Sequence, residues 1–102
     1  MDWEIQDQGF ALSAFEILTI TDAVKKMVSK NNDLISAASS LSSAIGSDLG
    51  LYHWNVLIIQ GNLGRKSFAS GGYYISFKRN DDLMVYIWLN RLVIIFVNLV
   101  DR

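Results

Sequence analysis

The sequence predicts an α+β fold, two N-terminal helices packed on a four-stranded antiparallel sheet, within a single domain spanning residues 1–102. Three observations carry this. Before Gly50 the apolar residues recur at helical spacing; after it β-branched and aromatic residues dominate; and no proline or linker interrupts the chain.

The first helix is expected over about 13–30. Ser13-Ala14-Phe15-Glu16 has the form of a capping box, and Thr21 or Asp22 offers a second possible cap. Ile17, Ile20, Val24, Met27 and Val28 fall on one stripe, while Lys25, Lys26 and Lys30 sit toward the C-terminal end, where cations suit the helix dipole. The second helix is expected over about 33–46, capped by Asn32 or Asp33 and ended by Gly46. Its face of Leu34, Ala37, Ala38, Leu41, Ala44 and Ile45 is small enough to lie flat against a sheet or another helix, and its serines read as filling rather than as nucleophiles.

The sheet is expected over about 51–100. Tyr52 to Gln60 alternates with period two and is apolar on both faces, the pattern of a central strand. Gly61-Asn62 supplies a turn, and Lys66 to Tyr74 reads as a second extended segment broken by Gly71-Gly72. Lys78 to Asp82 reads as a polar loop, followed by Leu83 to Leu89 and Leu92 to Leu99 as a hairpin turning at Asn90-Arg91.

Composition narrows the function classes. Half of the residues (51%) are apolar, yet a chain of this size buries only roughly 65% of its unfolded surface, so apolar surface is left over for a partner. Nine basic against ten acidic residues give a net charge of −1, which does not favour nucleic acid or anionic lipid. The absence of cysteine excludes a disulfide framework, a zinc finger and a thiol nucleophile, and suits a reducing, intracellular setting. Met1 to Phe10 is acidic and does not read as a signal peptide. Leu83 to Val100 is apolar, but a spanning helix would carry Asn90 and Arg91 near the bilayer centre, where Arg alone costs about 2.5–3.5 kcal/mol.

Motifs for chemistry are weak. The single histidine, His53, lies between Tyr52 and Trp54 without the partners a catalytic or metal-ligating imidazole needs, and reads as a packed or interface residue. Gly61 to Ser67 looks superficially like a phosphate loop but lacks the required spacing and joins strand to strand. Arg65, Lys66, Lys78 and Arg79 make a locally basic region that reads as a solvated rim, and Asp81-Asp82 reads as a turn. No enzyme activity, cofactor or metal is expected. The aromatic residues Tyr52, Trp54, Phe68, Tyr73, Tyr74, Phe77, Tyr86 and Trp88 divide between core and recognition surface.

The order of elements resembles that of the Tctex-type dynein light chains. The residues that carry the resemblance are Val56-Leu57-Ile58-Ile59-Gln60-Gly61-Asn62, then Ala69-Ser70-Gly71-Gly72-Tyr73-Tyr74, and Trp88 and Asn90 ahead of Arg91 and the run Leu92 to Leu99. Leu63 replaces the family's turn glycine, with Gly64 following, and cysteines often present in these chains are missing. The eight-kilodalton type of dynein light chain, a related helix-helix-sheet dimer, is the nearest competitor.

The resemblance implies a strand-exchanged homodimer, or a heterodimer with a related light chain, in which Gln60 through Tyr74 holds the exchanged segment. It further implies a groove at the dimer interface for an extended dynein intermediate-chain peptide bound by strand addition. Ser67, Phe68, Ala69, Ser70, Gly71 and Gly72 would offer backbone groups, Tyr73, Tyr74 and Phe77 would shape pockets, and Arg65 and Lys66 would meet acidic flanks. His53, Gln60, Asn62 and Trp88 are the interface candidates. The expected setting is cytoplasmic and cytoskeleton-associated, including the ciliary or flagellar axoneme. The alternatives are a pocket protein, enzymatic or small-molecule-binding, using the surroundings of His53, and a structural subunit of another assembly.

Overall fold

The computed structural model describes residues 3–30, 33–50, 54–61 and 72–89. Along the chain these form β1 (Trp3–Gln8), α1 (Ala14–Lys30), α2 (Leu34–Leu49), β2 (Trp54–Gln60), β3 (Tyr74–Arg79) and β4 (Leu83–Leu89). The four strands make one antiparallel sheet in the order β1-β3-β4-β2, with the helices on one face.

Both helices begin where their local chemistry places them. Ser13 N–H donates to Glu16 Oε1 at 2.8 Å and Glu16 N–H donates to Ser13 Oγ at 3.1 Å, closing the expected capping box. Asp33 is the cap of α2: it accepts from Ile35 N–H at 3.1 Å and from Ser36 Oγ at 2.8 Å. These bonds, led by that from Ser36, hold its carboxyl below the usual carboxylate range. Thr21 caps nothing; its hydroxyl donates back to the Ile17 carbonyl at 2.6 Å within the continuous α1.

The end of α2 is a correction. Gly46 lies inside the helix, and the stop is Gly50, which takes a left-handed φ of 60° and donates its N–H to the Gly46 carbonyl. The helical stripe is as expected in its centre: Ile20, Val24, Val28, Ala37, Leu41 and Ile45 are buried against the sheet residues Trp54, Ile75, Phe77, Leu83, Val85, Ile87 and Leu89. Burial of such side chains stabilises by about 1.5–3 kcal/mol each relative to exposure, which makes this layer the main source of helix order.

The sheet differs from expectation in three ways. One strand precedes the helices: Trp3–Gln8 pairs with β3, so among the described residues the fourth strand comes from the N-terminus. Its alternation of Trp3 and Ile5 with Glu4 and Gln6 is brief, and a register shift between Ile5 and Asp7 blurs the period. Second, the hairpin joins β3 to β4 at Asn80 to Asp82, because Lys78 and Arg79 belong to the strand. Asp82 holds the turn with φ of 64°, a conformation Asp tolerates better than most residues.

Third, β2 is not central among the described strands. It pairs with β4 on one side and stands at an edge among the described strands, while β4 is the strand buried on both faces. The segments Lys66 to Tyr73 and Leu92 to Leu99 fall wholly or mainly outside the described residues; Leu83–Leu89 is strand, and no described helix is long and apolar enough to cross a membrane.

The N-terminal strand is fastened at a close approach of two glycines. Gly9 N–H donates to the Tyr74 carbonyl at 2.7 Å and Ala11 N–H to the Gly72 carbonyl at 3.0 Å. A side chain at Gly9 would overlap the Gly72 carbonyl, and Gly72 itself has a φ of 84° beneath the Phe10 ring.

Candidate functional site

The edge strand β2 carries the sequence of a buried strand: Trp54, Val56 and Ile58 pack on the helix face, and Asn55, Leu57 and Ile59 alternate to the other. The register tells which backbone groups point outward. Leu89 N–H donates to the Tyr73 carbonyl at 3.0 Å, so the main chain of Leu89 faces away from β2. Its β2 partner, Trp54, therefore turns its own amide and carbonyl away from β4, and Val56 and Ile58 follow by alternation.

Ser42 on α2 confirms that direction. Its hydroxyl donates to the Trp54 carbonyl at 2.7 Å, satisfying one edge acceptor from the helix side. Around this point a cleft of about 310 Å³ opens between α2, at Ala38 and Ser39, and the strand residues Trp54 to Leu57, with Trp88 closing it across the pair Asn55–Trp88. None of the described residues that line it is ionisable. Two buried donors there have no hydrogen-bond partner: Trp54 Nε1 and Asn55 Nδ2. Leu57, 45% exposed, extends the apolar surface along the edge.

The opposite edge has another character. β1 is mostly exposed and carries Glu4 and Asp7, charges that discourage a further strand. Behind it Arg79 lies 5.4 Å over the Trp3 ring and forms a bidentate pair with Asp81 at 2.6 and 2.7 Å. The Asp81 hydrogen bond raises the guanidinium's pKa, and that guanidinium holds the Asp81 carboxyl below the ordinary range. Lys78 pairs with Asp82 at 3.6 Å. Two cations of the expected basic rim are thus neutralised by their own turn.

The sequence candidates divide accordingly. His53, Asn62, Arg65, Lys66, Ser67, Phe68, Ala69, Ser70 and Gly71 lie outside the described residues. Phe77, expected to shape a pocket, is wholly buried under the helices, because the strand places it on the core face beside Val85. Gly72, expected to offer backbone to a peptide, has its carbonyl occupied by Ala11. Gln60 ends β2 and donates from Nε2 to the Asp81 carbonyl at 2.9 Å. Tyr73 and Tyr74 are partly buried, and Tyr74 pairs with Trp88 on the face opposite the helices. Trp88 lines the edge cleft. Asn55, Ser42 and Trp54 were not singled out for this role: an unpaired donor is a property of packing, with no signature in the local sequence.

These features define an α+β chain with a helix pair on one face of an antiparallel sheet and one apolar edge. Among solved structures it is similar to the dynein light chain-like domain of the Fasciola hepatica calcium binding protein FhCaBP2, with 17% identity and a TM-score of 0.66 over 87% of this chain and 92% of that one. The fold is dynein light chain-like. No family model and no curated protein matches the sequence.

Proposed function

We propose that the chain is a non-catalytic, dimeric light chain of the Tctex kind, an adaptor of a dynein motor complex that binds an extended intermediate-chain peptide by strand addition at the dimer interface. One observation carries the reading: among the described strands, one that is apolar on both faces stands at the sheet edge with backbone groups that face away from its neighbour. Such an edge is a template for another strand, whose main chain would supply affinity while side-chain pockets supply choice. The shared fold supports a light-chain role.

In this role the chain works from the cytoplasm, on the cytoskeleton or the axoneme, and two tethered sites strengthen a bivalent partner through effective concentration. Sedimentation equilibrium of the purified chain, alone and with an intermediate-chain peptide, tests it. A particle of twice 11.5 kDa, about 23 kDa, that takes up two peptides supports the reading. A monomer indifferent to peptide overturns it.

A further inference from the structure

Both edges of β4 are taken. It pairs with β2 from Trp54↔Leu89 to Gln60↔Leu83 and with β3 from Tyr74↔Trp88 to Lys78↔Met84. A hairpin of Leu83–Leu89 with Leu92 to Leu99, the arrangement the sequence suggests, therefore finds no free edge on β4. Yet seven of those last eight residues, all but Asn98, are aliphatic or aromatic, and a run of that kind needs a cover.

The place where β4 ends points to that cover. Leu89 N–H donates to the Tyr73 carbonyl, and the next residue back, Gly72, accepts from Ala11 N–H and lies against the Phe10 ring. β4 thus ends at the same end of the sheet as the connector that leads from β1 into α1. The surface there is apolar: Phe10 in the connector is 92% exposed, and Phe15 and Leu18 in the first turns of α1 are 68% and 64% exposed. Three residues apart, Phe15 and Leu18 share a helix face turned away from the buried Ile20, Val24 and Val28. Farther along, that face becomes charged at the exposed Asp22, Lys25 and Lys26, so the apolar patch is confined to the end of α1 beside the connector.

Reach does not limit a contact between the two. Asn90 and Arg91 separate Leu89 from the run, and its eight residues span about 12 Å as a helix or about 26 Å extended. Phe15 to Leu18 takes up about 4.5 Å of the α1 axis.

We propose that Leu92 to Leu99 docks on Phe10, Phe15 and Leu18 of its own chain and closes the outer face of α1, at its N-terminal end, to other partners. The contact belongs to the helix layer and is independent of strand addition at β2.

The lack of native cysteine makes the test direct. Asn98→Cys in the full chain carries a single nitroxide, and ¹⁵N-resolved NMR reads the backbone amides. Those of Phe10, Phe15 and Leu18 are expected to broaden, and those of the turn Asn80 to Asp82, at the far end of the sheet, far less. The broadening should persist when the labelled chain is diluted into an excess of unlabelled chain. Phe15→Asp combined with Leu18→Asp, both at exposed positions, should abolish it. A second measurement needs no label. Trypsin cleaves after Arg91, and the double substitution should speed the appearance of fragment 1–91 about tenfold, because cleavage follows the population of undocked chain.

Failure of the three amides to broaden overturns the proposal, and so does an unchanged cleavage rate. Broadening that falls instead on Met84 and Tyr86, on the sheet face opposite the helices, overturns it as well. If the broadening vanishes on dilution, a second copy covers the patch and the contact within one chain is refuted. The strand-addition reading survives all of these outcomes, since peptide binding is what decides it.

Discussion

At the residue scale, the strictest demands come from backbone approaches and turn ion pairs. Gly9 tolerates no side chain, because a Cβ would overlap the Gly72 carbonyl at the junction that fastens β1 to β3. Gly9→Ala should therefore destabilise the chain by about 1–3 kcal/mol, read as a lower urea midpoint. Gly46 is the opposite case. It is helical, and a Cβ there meets nothing within 4 Å, so Gly46→Ala should stabilise by about 0.5–1 kcal/mol.

Asp33 and Asp81 share a pH dependence at this scale. Both carboxyls titrate below the ordinary carboxylate range in the folded chain, Asp33 chiefly through the Ser36 hydroxyl and Asp81 chiefly through the Arg79 hydrogen bond. Their stabilising contribution is complete above the unfolded pKa and is lost as pH falls through the lower folded value. The melting temperature should be insensitive to these two groups from pH 7 to about 5 and fall below about pH 4. In Asp33→Asn and Asp81→Asn variants that acid-side decline should be smaller.

At the scale of elements, β2 concentrates the functional argument. Leu57 is 45% exposed on β2. Leu57→Lys puts a charge on an edge strand, a common natural obstacle to strand addition. The expected result is weaker self-association and peptide binding with a thermal stability changed by no more than about 0.5 kcal/mol. Normal association by that variant would show that partners do not approach along this edge.

At this scale the helices were legible in sequence and the sheet only partly so. The Ser13–Glu16 box and the Asp33 cap are local devices, formed within a few residues, and local sequence specifies them. The end of α2 was misplaced because a glycine within a helix and one that ends it differ only in φ, and Gly50 takes the left-handed value. β1 was missed because six residues with a register shift hold too little periodicity. For the candidate site, Trp88 and Gln60 were named from sequence, but the donors Trp54 and Asn55 were not, since their lack of acceptors depends on what packs around them.

At the scale of the whole molecule, the two edges of the sheet have been given different fates. β1 is narrow, acidic and locked to β3 through Gly9 and Gly72, whereas β2, the other edge among the described strands, is apolar and lies beside a helix of small residues. The proposed strand addition uses the β2 side alone. It also accounts for the excess of apolar residues over what a chain of this length can bury, since a β2-like sequence becomes economical once its edge is covered.

Sequence by itself determined the α+β class, the starts of both helices and their buried stripes, because each follows from periodicity and capping over short spans. Only the tertiary structure decided which strands are neighbours. Strand order is set by contacts between residues distant in sequence: Trp3 reaches Arg79 across both helices, and Leu83–Leu89 takes the centre because it is apolar on both faces and reaches both neighbours. That choice leaves β2 at the margin of the described strands, and with it the outward-facing backbone on which the proposed function rests.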